Sequence, residues 1–246
     1  MTIPPGCSLT LIGVMHRDPR GVQRLVPLLE QLDVDGISLE VSEYALEYRL
    51  REGMRLSGKL SKIVADIAKK TGTDYEQLMN HGEIRGILET LTVPFEVRAA
   101  MEFGNEYAVP YHLLDNSDLS RELLATIEPE LINPLNITYL LAKQDFDYQN
   151  NLDLLYEEGS RILRNEPVHR HELRLSDETI ESHEQRDELI ASRLERLMDD
   201  TPGNWVHICG FTHMVRCEGF RNIYSRFPGS KRILAMDDPD RKRAIA

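Results

Sequence analysis

The chain has 246 residues and carries 29 Lys and Arg against 41 Asp and Glu, a formal net charge of −12. Apolar residues make up 41% and charged residues 28%, enough apolar material for a core, which excludes a largely disordered chain. The acidic balance argues against a nucleic-acid partner, which needs a basic surface to displace counterions, and against an anionic membrane surface.

Taken in chain order, residues 8–15, SLTLIGVM, are a short apolar run rich in β-branched residues and read as a buried strand. Gly13 and the loop residues His16 to Gly21 end it. Apolar residues at helical spacing follow over 22–32, then a turn at Asp33 to Gly36 and a second short strand from Ile37 to Val41. The order βαβ implies neighbouring parallel strands. The middle is helical by periodicity over 42–54, 58–71, 74–91 and 95–108, interrupted by a strand at 111–114, and helical again over 117–127, 131–142, 146–165 and 177–199. Residues 165–176 are polar and read as a loop. A strand at 205–209, a turn at 210–212, a helix near 214–226 and a last strand at 232–236 complete the pattern, before a charged tail. With no Pro/Gly/Ser linker, the expectation is one α/β domain over 1–246, with a helical insertion or cap at about 42–200. Cys7, Cys209 and Cys217 form no disulfide framework and no CxxC pair, as expected in a reducing compartment. The first residues lack a basic region followed by an apolar one, and no window holds about 18 uncharged apolar residues. The expectation is a cytoplasmic chain without a membrane span.

One pattern is duplicated. Gly13-Val14-Met15-His16 follows the first strand, and Gly210-Phe211-Thr212-His213 follows the strand at 205–209. In both units an acidic residue, Glu40 or Asp237, comes 24 positions after the His, from 16 to 40 and from 213 to 237, at the end of a further strand. Ligands bind at the carboxyl edge of an open α/β sheet. Glycine would let the backbone turn sharply off the strand so that the His projects over that edge. Two such units side by side would gather two imidazoles and two carboxylates. That set suits a divalent ion such as Zn, Mn, Co or Fe, and equally suits metal-free acid–base chemistry by His near neutral pH. Asp237 lies in Asp237-Asp238-Pro239-Asp240, which also reads as a solvated turn.

At these residues the chain resembles the TraB/PrgY family and the Tiki-type proteins, with a more distant similarity to erythromycin esterase-like proteins. Five blocks carry the resemblance: Leu11 to His16; Ser38-Leu39-Glu40; Phe95 to Ala100 leading to Leu113-Leu114-Asp115; Gln185-Arg186-Asp187; and Val206 to His213. Two departures are visible. Asn116 follows Asp115 where the family usually has Arg, and Gln185-Arg186-Asp187 stands where the family has Glu-Arg-Asn or Glu-Arg-Asp. The resemblance implies a central mixed sheet built from the two GxxH units, flanked and capped by the helical middle. It also implies a metal-dependent hydrolase acting on peptides through a metal-activated water. His16, Glu40 and His213 would be the metal ligands, with Glu40 alternatively the general base. Arg186 would stabilise an oxyanion or hold a substrate carboxylate, and Glu96 and Asp115 are further candidates. Alternative readings stand beside these. Arg186 fits a surface salt bridge within its charged stretch, Glu96 a first-turn residue after Pro94, and Asp115 an N-cap for the helix near Ser117.

The remaining histidines read differently. His169 and His171 fall in the polar loop, His81 and His183 in charged helices as surface residues, and His112 and His207 within strands facing a helix layer. Cys209 reads as a buried structural thiol, with a soft metal ligand as the alternative. No GxSxG elbow, P-loop or GxGxxG is present, which disfavours a serine hydrolase, an NTPase and a dinucleotide enzyme. The competing functions are a metal-free hydrolase with His16 or His213 as general base, and a non-catalytic protein that binds a peptide or small ligand in the same cleft.

Overall fold

A computed structural model of the chain describes residues 2–173 and 177–236, and the side chains among them other than those of 170 and 177–180. Asp237, the expected second strand-end carboxylate, lies outside the described residues. β1 (Ser8–Val14) leads through α1 (Gly21–Glu30) into β2 (Gly36–Leu39). Then come α2 (Glu43–Thr71), α3 (Tyr75–Asn80), α4 (Gly82–Leu91) and α5 (Phe95–Tyr107), followed by β3 (Tyr111–Leu113). After β3 the chain forms α6 (Ser117–Ala125), a π-helical turn at Ile127–Leu131, α7 (Pro134–Leu141) and α8 (Tyr148–Arg164). β4 (Val168–His169), α9 (Asp177–Asp200), β5 (Asn204–Gly210), β6 (Cys217–Glu218), α10 (Ile223–Arg226) and β7 (Lys231–Leu234) finish the described chain.

The architecture is α/β. Five strands form one sheet in the order β3-β2-β5-β1-β7, and β4 pairs with β6 apart from it. Every described pairing is parallel, so the expected mixture of strand directions is absent among the described residues. The reason is visible in the strands. β1, β2 and β5 are buried almost end to end, with helices on both faces, the environment that parallel strands require. One face packs under α1, α2, α4 and α5 through residues such as Leu25, Leu29, Leu56, Ile84 and Phe95. The other packs under α9 and α10 through Ile190, Leu194, Met198, Ile223 and Phe227, all fully buried.

Several boundaries differ from the sequence expectation, each for a local reason. The helices expected over 42–54 and 58–71 are one continuous α2, because Gly58 sits in open space and does not interrupt the backbone hydrogen bonds. Ser42 caps its start by accepting from the Ala45 N–H, and Gly72 ends it at φ +71°. The helix expected over 214–226 is broken. A 3₁₀ turn at Phe211–Met214 stops when the Asn222 side chain donates to the Thr212 and Val215 carbonyls. The same Asn222 caps α10 by accepting from the Ser225 N–H. The loop expected over 165–176 contains the short β4, drawn into a ladder by β6.

Gly21 shows how tightly α1 seats on α5. A Cβ there would stand 2.0 Å from Cδ2 of the buried Phe95 ring. Alanine normally favours a helix over glycine by up to about 1 kcal/mol. Here the overlap outweighs that preference. Gly21→Ala is expected to destabilise the fold by about 1–3 kcal/mol, read as a lower urea midpoint at unchanged slope.

Candidate functional site

The carboxyl edge of the sheet assembles the site. Four neighbouring strands deliver one residue each: β3 is followed by Asp115, β2 by Glu40, β5 by the loop to His213 and β1 by the loop to His16. Arg186 arrives from α9, which packs across this edge. Glu96 arrives in the first turn of α5. All six residues singled out from the sequence other than Asp237 are therefore brought together.

Glu40 is the hub and is only 2% exposed. Its Oε2 accepts from the Gly210 N–H at 2.8 Å. Its Oε1 lies 2.7 Å from Arg186 Nη1 and 3.0 Å from His213 Nε2. Arg186 in turn clasps Asp115 with both arms of its fork, Nε to Oδ1 at 2.7 Å and Nη2 to Oδ2 at 2.6 Å. Arg186 is thus part of this buried network, not a surface ion pair. Asp115 does not cap α6; Asn116 does, accepting from the Asp118 and Leu119 N–H groups. The departure at 116 therefore has a structural role of its own.

The two histidines are held alike and exposed differently. Each has its Nδ1 tied to a carboxylate: His16 to Glu96 at 2.8 Å, His213 to Asp187 at 2.6 Å. Each turns Nε2 toward Glu40, at 4.0 Å for His16 and 3.0 Å for His213. The His213 side chain is 3% exposed, whereas 48% of the His16 side chain faces open space.

Electrostatics follow from this packing. Burial alone would raise the Glu40 pKa, but His213, Arg186 and His16 outweigh it and hold the carboxyl well below its usual value. Burial alone would lower His213, but Glu40 and Asp187 on either side push it up to about 10, so it is an imidazolium near neutrality. For His16, desolvation pulls the pKa down and the Glu96 contact, with Glu40, raises it above the usual imidazole value. With half of the side chain exposed, the Glu96 hydrogen bond is what favours the protonated ring. Cys209, one residue before Gly210, is fully buried, and desolvation pushes its thiol well up, as expected of a structural cysteine.

The glycines of the two GxxH motifs have a reason other than the turn expected from the sequence. Gly210 sits at φ −55°, ψ 141°, which any residue adopts. A Cβ on it would lie 2.8 Å from His16 Nε2. A Cβ on Gly13 would lie 2.4 Å from Met214 Sδ and 3.3 Å from Phe211 Cα. Each motif's glycine makes room for the other motif.

Three residues escaped the sequence reading. Asp187 is fully buried and holds His213. His183 is not a surface residue: its ring lies 5.6 Å from that of His213, and its Nδ1 is buried without a hydrogen-bond partner among the described residues. Desolvation and the neighbouring cations lower its pKa. The positions 183, 186 and 187 fall on one helical face, a spacing that could have revealed both. His81 is also buried, and it caps α4 by accepting from the Glu83 N–H.

The site opens into a cavity of about 460 Å³. His16, Glu40, Glu96, Asp115 and Arg186 form its polar wall, and Val41, Phe95, Leu119, Leu124 and Leu131 are among its apolar lining. His213 does not reach the cavity.

The donor chemistry of His16, His213 and Glu40 is that of a transition-metal site, and the Nδ1 carboxylates are the usual outer partners of metal-bound imidazoles. The arrangement is that of an ion-pair network. Glu40 Oε1 is shared by two cations, and no three His, Cys, Asp or Glu side chains among the described residues gather as ligands. As arranged, these residues do not fit a bound ion. No family model, curated protein or solved structure matches the chain.

Two outcomes follow from the network. The unfolded chain releases the His213 proton near 6.5, whereas the folded chain keeps it to about 10. This contribution to stability is complete below about 6.5 and is lost as pH rises toward 10. Glu40 has the opposite sign: its contribution is present above the usual carboxylate value of 4.5 and is lost as pH falls below it. Urea titrations from pH 5 to 10 are expected to show this alkaline loss in the wild type and a smaller one in Glu40→Gln. At pH 7 that variant should be less stable by about 3–5 kcal/mol, the cost of breaking a buried pair. Gly210→Ala should displace His16 while leaving the protein folded, read as a shifted His16 imidazole resonance in NMR.

Proposed function

We propose that the chain is a hydrolase that uses His16 as general base on a water, acting on a peptide or small ester or amide in the cavity. The single observation that carries this reading is the His16–Glu96 pair. Its imidazole is oriented by a carboxylate at Nδ1, turns Nε2 toward Glu40, and belongs to a half-exposed side chain that lines the open cavity, a placement that suits a general base. His213 is buried and held protonated between Asp187 and Glu40, so it supports the network instead of exchanging protons with substrate. Arg186 lines the same cavity, and only three of its five N–H donors are needed for Asp115 and Glu40. A remaining donor would stabilise an oxyanion as the water adds. The five-block resemblance to the TraB/PrgY family is proposed on the same footing, and supports hydrolysis as the reaction class.

A divalent ion is the second reading. It is favoured by the carboxylate on each histidine Nδ1 and by both Nε2 atoms turning toward Glu40. His16, His213 and Glu40 would hold it only in a rearranged form of the network. Binding would require His213 to lose its proton and Arg186 to release Glu40.

A panel of short peptides and esters, assayed with and without chelator, separates these readings. General-base hydrolysis should survive chelation and fall by about 10²–10⁴-fold in His16→Ala. Because His16 works deprotonated, the rate should rise with pH through its raised pKa. Glu96→Gln removes the contact that raises it, so the acid limb should move to lower pH. Activity abolished by chelator, with a metal lost from both His16→Ala and His213→Ala, would establish the second reading. Substrates bound but recovered intact would make the chain a binding protein.

A further inference from the structure

The acidic groups around the cavity are already committed. Glu40 and Asp115 hold Arg186, Glu96 holds His16, and Glu89 lies 3.8 Å from Arg85. Two cations on the cavity wall are not. Arg17 and Arg49 both line it, and neither forms an ion pair among the described residues. Both are hung from one residue at the end of α4. Arg17 Nη1 donates to Thr90 Oγ1 at 3.3 Å, and Arg49 Nε donates to the Thr90 carbonyl at 3.1 Å. Arg49 Nη1 is further fixed on the Ala45 carbonyl at 2.9 Å. Two like charges brought to one residue are costly unless an anion joins them. Glu96, which acts on Arg49 through space, is already hydrogen-bonded to His16.

The backbone reinforces the placement. Arg17 is one of two described non-glycine residues at positive φ, at +65°, directly after His16. Its carbonyl is held by the Tyr148 hydroxyl, which donates to it at 3.1 Å. Strain of this kind persists where the surroundings fix it, often at ligand clamps. Nearby, Phe95, Leu119, Leu123, Leu124 and Leu131 give the cavity an apolar lining. The four carboxylates in the same cavity disfavour a doubly charged phosphate relative to a singly charged anion.

We infer that Arg17 and Arg49, hung from Thr90, form a carboxylate-binding subsite in this cavity, and that the ligand is an apolar molecule ending in a free carboxylate, such as a short apolar peptide with a free C terminus. This rests on the hydrolytic reading only for calling that ligand a substrate; binding is read without turnover.

The probes are N-acetyl-leucyl-leucine and its C-terminal amide, titrated by calorimetry into wild type and into His16→Gln, in which turnover is suppressed. The free acid is expected to bind about tenfold or more tightly than the amide in both proteins, as charge-assisted hydrogen bonds would give. Raising salt should narrow the gap. Arg17→Ala, a change at an exposed side chain, and Arg49→Lys should each reduce the preference, and the double variant should abolish it. Equal binding of acid and amide, no binding of either, tighter binding of inorganic phosphate, or a preference unchanged in the double variant would each overturn the subsite. A retained preference in His16→Gln together with no hydrolysis by the wild type would overturn the hydrolase and leave the subsite standing.

Discussion

A carboxylate buried at the edge of a parallel sheet must be neutralised, and Glu40 sets the terms for everything around it. Leaving a charge in such a place without partners costs several kcal/mol. Arg186, His213 and the Gly210 N–H meet that demand, and each needs support in turn. Arg186 requires Asp115, and His213 requires Asp187. A single buried charge therefore ties the ends of β2, β3 and β5 to α9, elements far apart in sequence.

The strand order makes this possible. Because β5 inserts between β2 and β1, the late GxxH loop lies between the early loop and Glu40. The register sets Val14 opposite Gly210, so β1 and β5 end level, and Leu39 opposite Ile208, so β2 stops two residues short of them and Glu40 follows beside the end of β5. At that level there is no room for a side chain where the loops cross. Packing against the partner motif, rather than backbone freedom, then explains a glycine at 13 and at 210.

Much of this was legible in the sequence. The βαβ start, the strands at both GxxH motifs and the link from His16 to Glu40 follow from apolar runs and spacing alone. Arg186 and Glu96 were legible through resemblance. The pairing of Asp115 with Arg186 was not, because it depends on β3 lying next to β2, a tertiary choice that no local pattern encodes. Asn116, one residue on, takes the capping role that the sequence assigns as an alternative to Asp115. Asp187 and His183 were hidden differently. In a charged helix they look solvated, and only the burial of that helix face against the sheet edge reverses the reading.

The two GxxH units are alike in sequence and unlike in chemistry, and burial decides the difference. Both histidines carry a carboxylate on Nδ1. His213 also has Glu40 at 3.0 Å and almost no exposure, so two anions fix its proton. His16 has Glu40 at 4.0 Å and a half-exposed side chain that lines the cavity. A duplicated motif thus yields one histidine that holds a charge in place and one that is open to the cavity, as the proposed general base would have to be. The same cavity that His16 lines holds Arg17 and Arg49, neither of which forms an ion pair among the described residues. A molecule whose scissile bond reaches His16 while its anionic end meets those arginines would satisfy both walls at once. Two arginines without ion pairs among the described residues and one exposed histidine thus share this cavity, which is the placement that the proposed reaction and its proposed ligand both require.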